Sequence, residues 1–181
     1  MPGGGKSTVG RQLAKRLGWT FVDSDAVIEK HLGTPIRVYF DREGEAAFRE
    51  VEATVIAELC QGGRQVIATG GGVVLRPDNR RQLGAGARVI YLRSSPEELF
   101  RRLRHDTVRP LLQVANPLAR LRELYELRDP LYREVADFII ETGRPSVNAL
   151  VNMVLMQLEL AGAIDPAAVP SSIDLPPRSS T

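Results

Sequence analysis

The chain has 181 residues, 43% hydrophobic and 25% charged, with a formal net charge of +2. That is the composition of one ordinary globular domain with room for a small insertion, and the charge is too small to point to nucleic acid. No apolar stretch has the length of a membrane span, and the single cysteine, Cys60, excludes a disulfide framework and any cysteine metal spacing, leaving a core thiol.

In chain order, Gly3-Gly4-Gly5-Lys6-Ser7-Thr8 opens a helix over Ser7–Leu17, where Val9, Leu13 and Leu17 recur every fourth position and Gly18 stops the pattern. Met1 runs directly into that glycine loop, which predicts no secretory leader and a cytoplasmic protein. Trp19–Val22 reads as a short buried strand ending on Asp23-Ser24-Asp25, followed by a helix over Ala26–Leu32. A long helix is expected from about Glu45 to Leu59, with Phe48, Val51, Val55 and Leu59 inward, broken by Gln61-Gly62-Gly63. Gln65–Thr69 is a strand running into Gly70-Gly71-Gly72, and Arg88–Leu92 is the next strand. Ser95-Pro96-Glu97-Glu98 then starts a helix, with a hydroxyl cap, proline at the first position and acids in the first turn. Arg109-Pro110-Leu111-Leu112 interrupts helical patterning, as a mobile loop would. Arg128 precedes Asp129-Pro130-Leu131-Tyr132 at an expected helix break. Phe138–Ile140 is the last strand and Ser146–Leu160 the last helix, with residues 163–181 read as a disordered tail.

Alternating strands and helices predict an α/β fold with a parallel sheet flanked by helices. Ligands of such sheets bind at the carboxyl ends of the strands, where the phosphate loop, the Asp pair and the triple glycine would all lie. Glycines let backbone N–H groups wrap a phosphate, and the helix N-terminus favours the anion. Lys6 would reach the β- and γ-phosphates and the Ser7 hydroxyl would ligate Mg²⁺.

On the substrate side each residue has two readings. Asp23 and Asp25 end a strand one residue apart, so one carboxylate can assist Mg²⁺ through water while the other accepts from a substrate hydroxyl; equally, an Asp can cap the following helix. The three glycines allow close approach of a ligand or make a tight turn. Arg49 flanks a pocket or is a surface charge, and Arg128 grips a ligand or sits as a cation at a helix end. The basic residues are mostly Arg, with only Lys6, Lys15 and Lys30 as exceptions, and Arg suits bidentate grip on carboxylates and phosphates.

In the order GGGKST, FVDSD, FREVE, ATGGG, TVRPLL and RDPLY, residues 3–160 resemble the shikimate kinase family. The resemblance implies a nucleoside-monophosphate-kinase-like P-loop domain over residues 1–162, with a substrate-binding insertion at about 25–60 and a lid at about 104–116. It implies ATP on Gly3, Gly4, Gly5, Lys6, Ser7 and Thr8, with Mg²⁺ on Ser7 and supported by Asp23. Shikimate would be held by Asp25, Arg49, Gly70, Gly71, Gly72 and Arg128, with the Gly71 backbone in contact. Arg109 would be the lid arginine on the phosphates and Arg144 an adenine contact. Lys6, Asp25 and Arg109 would carry the transfer of the ATP γ-phosphate to the 3-hydroxyl of shikimate, in the route to chorismate and aromatic amino acids. A monomer without membrane or nucleic-acid partners is expected. The alternatives are another P-loop small-molecule kinase, such as a gluconate kinase, and a kinase-like regulatory domain that binds ligand without turnover. In the full loop motif a first Gly stands five residues before the second, which here falls just before Met1. The sequence therefore predicts a reading frame that continues upstream with roughly ten apolar, β-branched residues ending in Gly. The resemblance implies that their strand lies between Gln65–Thr69 and Arg88–Leu92.

Overall fold

A computed structural model describes residues 1–103, 114–165 and 167. Among them seven α-helices and four short strands alternate along the chain. The glycine loop leads into α1, Lys6–Leu17, which Gly18 ends in the left-handed conformation. Strand β1, Thr20–Asp23, is followed directly by α2, Ser24–Leu32. The long helix α3 spans Ile36–Leu59 but is bent at Gly44, whose φ of 84° and ψ of 173° are not helical. The part after the bend is the helix expected from Glu45; the turns before it were not anticipated. The left-handed φ at Gly44 suits glycine, so the kink falls where it strains least.

Strand β2, Gln65–Ala68, runs through the triple glycine into a 3₁₀ turn at Val73–Leu75 and then α4, Pro77–Gly86. Strand β3, Ile90–Arg93, precedes α5, Pro96–Leu103. The expected start of α5 is a capping box: the Ser95 hydroxyl accepts from the Glu98 N–H at 3.2 Å and Glu98 accepts from the Ser95 N–H at 3.0 Å. Helix α6 spans Pro117–Val135, capped by Asn116, and strand β4, Phe138–Glu141, leads to α7, Val147–Leu160. The break expected after Arg128 does not occur. Pro130 lies inside α6, because Leu121, Leu124 and Tyr132 on its inner face are buried and hold the helix against the core.

β1 pairs in parallel with β2, and β3 in parallel with β4. On one face of these strands Val9, Leu13 and Leu17 of α1 pack with Val151, Val154 and Leu158 of α7. On the other face Ile56, Val74, Leu83, Leu99, Leu121 and Tyr132 bring α3, α4, α5 and α6 together. A third cluster, Ile28, Phe48 and Val55, joins α2 to α3 as a unit beside the sheet. Cys60 is half-buried against the second core and burial pushes its thiol up, consistent with a packing role. This is the P-loop, nucleoside-monophosphate-kinase-like α/β architecture expected from the sequence. Among the described residues no helix is long and apolar enough to cross a membrane.

Candidate active site

The phosphate loop is shaped by glycine. Gly3 and Gly5 have φ of 72° and 80°, the left-handed region that a Cβ disfavours, and Gly5 caps α1 with no side chain in the way. The amide-rich start of α1 therefore faces the strand ends, as an anion cradle requires. Lys6 Nζ donates to the Met1 carbonyl at 2.7 Å, so its ammonium is drawn across the loop.

Behind the loop, the Ser7 hydroxyl donates to Asp23 Oδ2 at 3.1 Å. Asp23 Oδ1 also accepts from the Asp25 N–H at 3.1 Å and caps α2. Both readings of this Asp thus hold at once, one oxygen for each. Asp25 does not end the strand; it lies in the first turn of α2, and its carboxylate turns back over Gly70. A Cβ on Gly70 would stand 2.7 Å from Asp25 Oδ1. Partial loss of water around this carboxyl, then the neighbouring Asp23 carboxylate, raise its pKa above the ordinary aspartate range, with Lys6 and Arg49 pulling the other way.

The other two glycines repeat the pattern. A Cβ on Gly72 would lie 2.4 Å from Arg49 Nη2, and one on Gly71 would lie 3.6 Å from Arg128 Nη1. Gly70, Gly71 and Gly72 therefore each lie against one charged side chain, Asp25, Arg128 and Arg49 in turn. The triple glycine is a floor that lets one carboxylate and two guanidinium groups come down onto the backbone after β2. Its position is fixed from below: the Gly70 N–H donates to the buried Ser24 hydroxyl at 3.2 Å. The Gly71 carbonyl accepts from Arg128 Nη1 at 3.1 Å and from the Tyr132 hydroxyl at 2.5 Å.

Arg49 is not a surface charge. Its side chain is 15% exposed and donates to Glu52 at 2.7 Å and to Glu45 at 3.1 Å. Glu52 is 2% exposed; burial raises its carboxyl above the usual range and the Arg49 bond opposes that. Arg128 keeps a buried Nε that donates to no acceptor among the described residues. A buried N–H of this kind is costly unless a ligand oxygen meets it, and a guanidinium is shaped to meet a carboxylate. Ser24, Glu52 and Tyr132 were missed from sequence, although Glu52 stands three residues after Arg49 and Tyr132 four after Arg128, one helical turn in each case.

For a cation, the Ser7 and Asp23 oxygens are hard donors, as Mg²⁺ requires. Among the described residues no group of three or more His, Cys, Asp or Glu could cage a metal, so phosphate and water oxygens would complete the shell. Arg144 lies exposed between β4 and α7, next to Gly143, which packs on Glu98 at the start of α5. Arg109 lies outside the described residues, as does most of the stretch read as a lid.

A family model described as shikimate kinase matches residues 2–159. A shikimate kinase of Paracidovorax citrulli is 59% identical over 170 residues, covering 92% of this chain and 93% of its own. One from Burkholderia lata is 60% identical over 162 residues, covering 90% of this chain and 88% of its own. Among solved structures, shikimate kinase from Acinetobacter baumannii in complex with shikimate superposes with a TM-score of 0.82 at 44% identity, covering 90% of each chain. The enzyme from Bacteroides thetaiotaomicron gives 0.81 at 30% identity, over 87% of this chain and 94% of its own.

Proposed function

This chain belongs to the shikimate kinase family, an ATP-dependent phosphotransferase acting on a shikimate hydroxyl, and from that premise we propose how its residues divide the work. The observation that supports the division is the convergence of Asp25, Arg49 and Arg128 on Gly70–Gly72, beside the loop that starts α1. Arg49 and Arg128 grip the substrate carboxylate, and the Gly70, Gly71 and Gly72 backbone floors the ring. That grip turns the 3-hydroxyl towards Asp25. Gly3, Gly4, Gly5, Lys6, Ser7 and Thr8 cradle the ATP phosphates, and Arg144 contacts the adenine.

Transfer forms a bond from the 3-hydroxyl oxygen to the γ-phosphorus and breaks the bond from that phosphorus to the β–γ bridging oxygen, which leaves on ADP. The hydroxyl proton passes to Asp25, whose raised pKa brings it nearer to a useful base strength. Lys6 and Arg109 neutralise charge on the transferring group. Ser7, supported by Asp23, would hold Mg²⁺, which when bound would neutralise phosphate charge. Residues 1–162 act as one kinase domain, with a substrate-binding insertion at about 25–60, a lid at about 104–116 and a tail beyond 162. The working form is a cytoplasmic monomer, a reading consistent with the lone cysteine and the small net charge.

ADP release measured with shikimate, gluconate and nucleoside monophosphates in parallel tests the substrate. Turnover should appear with shikimate and stay at background with the others. Faster turnover on gluconate or a nucleotide would remove the assignment, and shikimate binding without ADP release would make the chain a ligand-binding regulator.

Glu52 enters this scheme as the residue that aims Arg49. Glu52→Gln keeps a hydrogen-bond partner but loses its charge, so the charge-assisted part of the bond, about 1–2 kcal/mol, is expected to go. The KM for shikimate should rise roughly five- to thirty-fold while the KM for ATP stays put. An unchanged KM for shikimate would show that Arg49 does not depend on Glu52.

A further inference from the structure

Arg128 stands on an interrupted turn of α6. Pro130 has no N–H to give the Glu126 carbonyl one turn back, so the backbone beside Arg128 lacks a helical bond. Side chains span that gap. Arg133 Nε donates to Asp129 Oδ2 at 2.6 Å, across the proline. Asp129 Oδ1 accepts from the Tyr91 hydroxyl of β3 at 2.9 Å and from Arg93 Nε at 3.3 Å. Arg93 also donates to the Tyr125 hydroxyl at 2.7 Å, one turn earlier on α6, and to Glu141 of β4 at 2.8 Å. Burial works against the Asp129 carboxylate, yet the bonds from Arg133 and Tyr91 hold it below the ordinary aspartate range.

Tyr91 also reaches the substrate floor. Its ring, 5% exposed, stacks on Tyr132 with centroids 4.7 Å apart and planes inclined by 29°. Tyr132 in turn donates to the Gly71 carbonyl, which also accepts from Arg128 Nη1. The Tyr91 hydroxyl thus holds the residue next to Arg128, and the Tyr91 ring holds the residue that shares an acceptor with Arg128. These contacts close a loop through β3, α6 and the turn after β2, running Tyr91, Asp129, Arg128, Gly71, Tyr132 and back. Burial, then the bond to Asp129, push the Tyr91 phenol well above the usual tyrosine range, so it stays a donor.

We propose, resting on the carboxylate grip assigned above to Arg128, that Tyr91 and Asp129 are the positioning pair of that grip. The bond between them sets the rotation of the α6 turn that aims the Arg128 guanidinium at the substrate carboxylate. Both act through Arg128 and not on the substrate directly. The Tyr91 bond carries the effect because it is buried. Arg93 and Arg133 are 31% and 46% exposed, so their ion pairs with Asp129 are weakened by water. What position 129 must supply is therefore an acceptor for a buried hydroxyl rather than a negative charge.

Shikimate titrations and steady-state kinetics on variants of the full chain test this. Tyr91→Phe keeps the stack on Tyr132 and loses only the hydroxyl. Its KM for shikimate should rise roughly three- to ten-fold, with the KM for ATP inside about two-fold of wild type. Asp129→Ala should do the same. Asp129→Asn keeps an acceptor for the hydroxyl, so its KM for shikimate should return to within about two-fold of wild type. Tyr91→Phe added to Arg128→Ala should weaken shikimate binding no further than Arg128→Ala alone, because the pair then has nothing to aim. A loss of stability by itself would produce neither the rescue by asparagine nor this non-additivity. An unchanged KM for shikimate in Tyr91→Phe would overturn the pair and leave the grip standing. So would an Asp129→Asn loss as large as that of Asp129→Ala, or a Tyr91→Phe loss of the same size in the Arg128→Ala background. Unchanged shikimate affinity in Arg128→Ala itself would overturn the grip, and the pair with it.

Discussion

Replacing Asp25 by asparagine is expected to leave ATP affinity within about two-fold and to lower kcat by roughly 10²- to 10⁴-fold, the range a positioned general base supplies. The amide is nearly the same shape, so the close approach to Gly70 survives. In the proposed scheme the variant loses an acceptor for the hydroxyl proton and a charge that orients the hydroxyl. The pH profile gives a second readout. Asp25 carries a raised pKa, so the wild-type rate should fall with decreasing pH as this carboxylate protonates, at a pH above the ordinary aspartate range. The residual rate of the asparagine variant should lack that limb. A near-normal kcat in Asp25→Asn, or an unchanged acid limb, means another group takes the proton.

Arg49→Ala and Arg128→Ala should each weaken shikimate binding far more than ATP binding. Loss of a charge-assisted hydrogen bond costs about 1.5–3 kcal/mol, which corresponds to roughly ten- to more than one-hundred-fold in affinity. The two variants differ in what they leave behind. Arg49→Ala strips the buried Glu52 of its 2.7 Å partner and leaves it only the weaker pull of the Arg128 charge, so breaking this buried pair should destabilise the fold, by up to about 3–5 kcal/mol. Arg128 Nη1 donates to the Gly71 carbonyl, which keeps the Tyr132 hydroxyl after truncation. Arg128→Ala should therefore melt near the wild type while losing shikimate affinity, and it is the cleaner test. Unchanged shikimate titrations for both variants would remove the carboxylate grip, and a loss of ATP affinity of equal size would place these arginines on the nucleotide instead.

The sequence by itself determined the elements whose signals are local. The start of α5 was readable because Ser95, Pro96 and Glu98 act within one turn, and the phosphate loop because its glycines and Lys6-Ser7 act within a few residues of each other. Alternation of strands and helices gave the fold class, since burial periodicity is written along the chain. Tertiary packing decided what local signals left open. Pro130 reads as a break, yet the buried inner face of α6 carries the helix through it, because packing outweighs one lost backbone bond. Asp25 reads as the end of a strand, yet the cap made by Asp23 turns it into the first turn of α2 and over Gly70. Arg49 reads as a surface charge until Gly72, more than twenty residues later, is seen to make room for it. The pairings of Ser24 with Gly70 and of Tyr132 with Gly71 join residues 46 and 61 apart, and no local pattern encodes them. Sequence periodicity reports which side of an element is apolar, whereas a site is a set of distances between elements, and only the packed chain sets those.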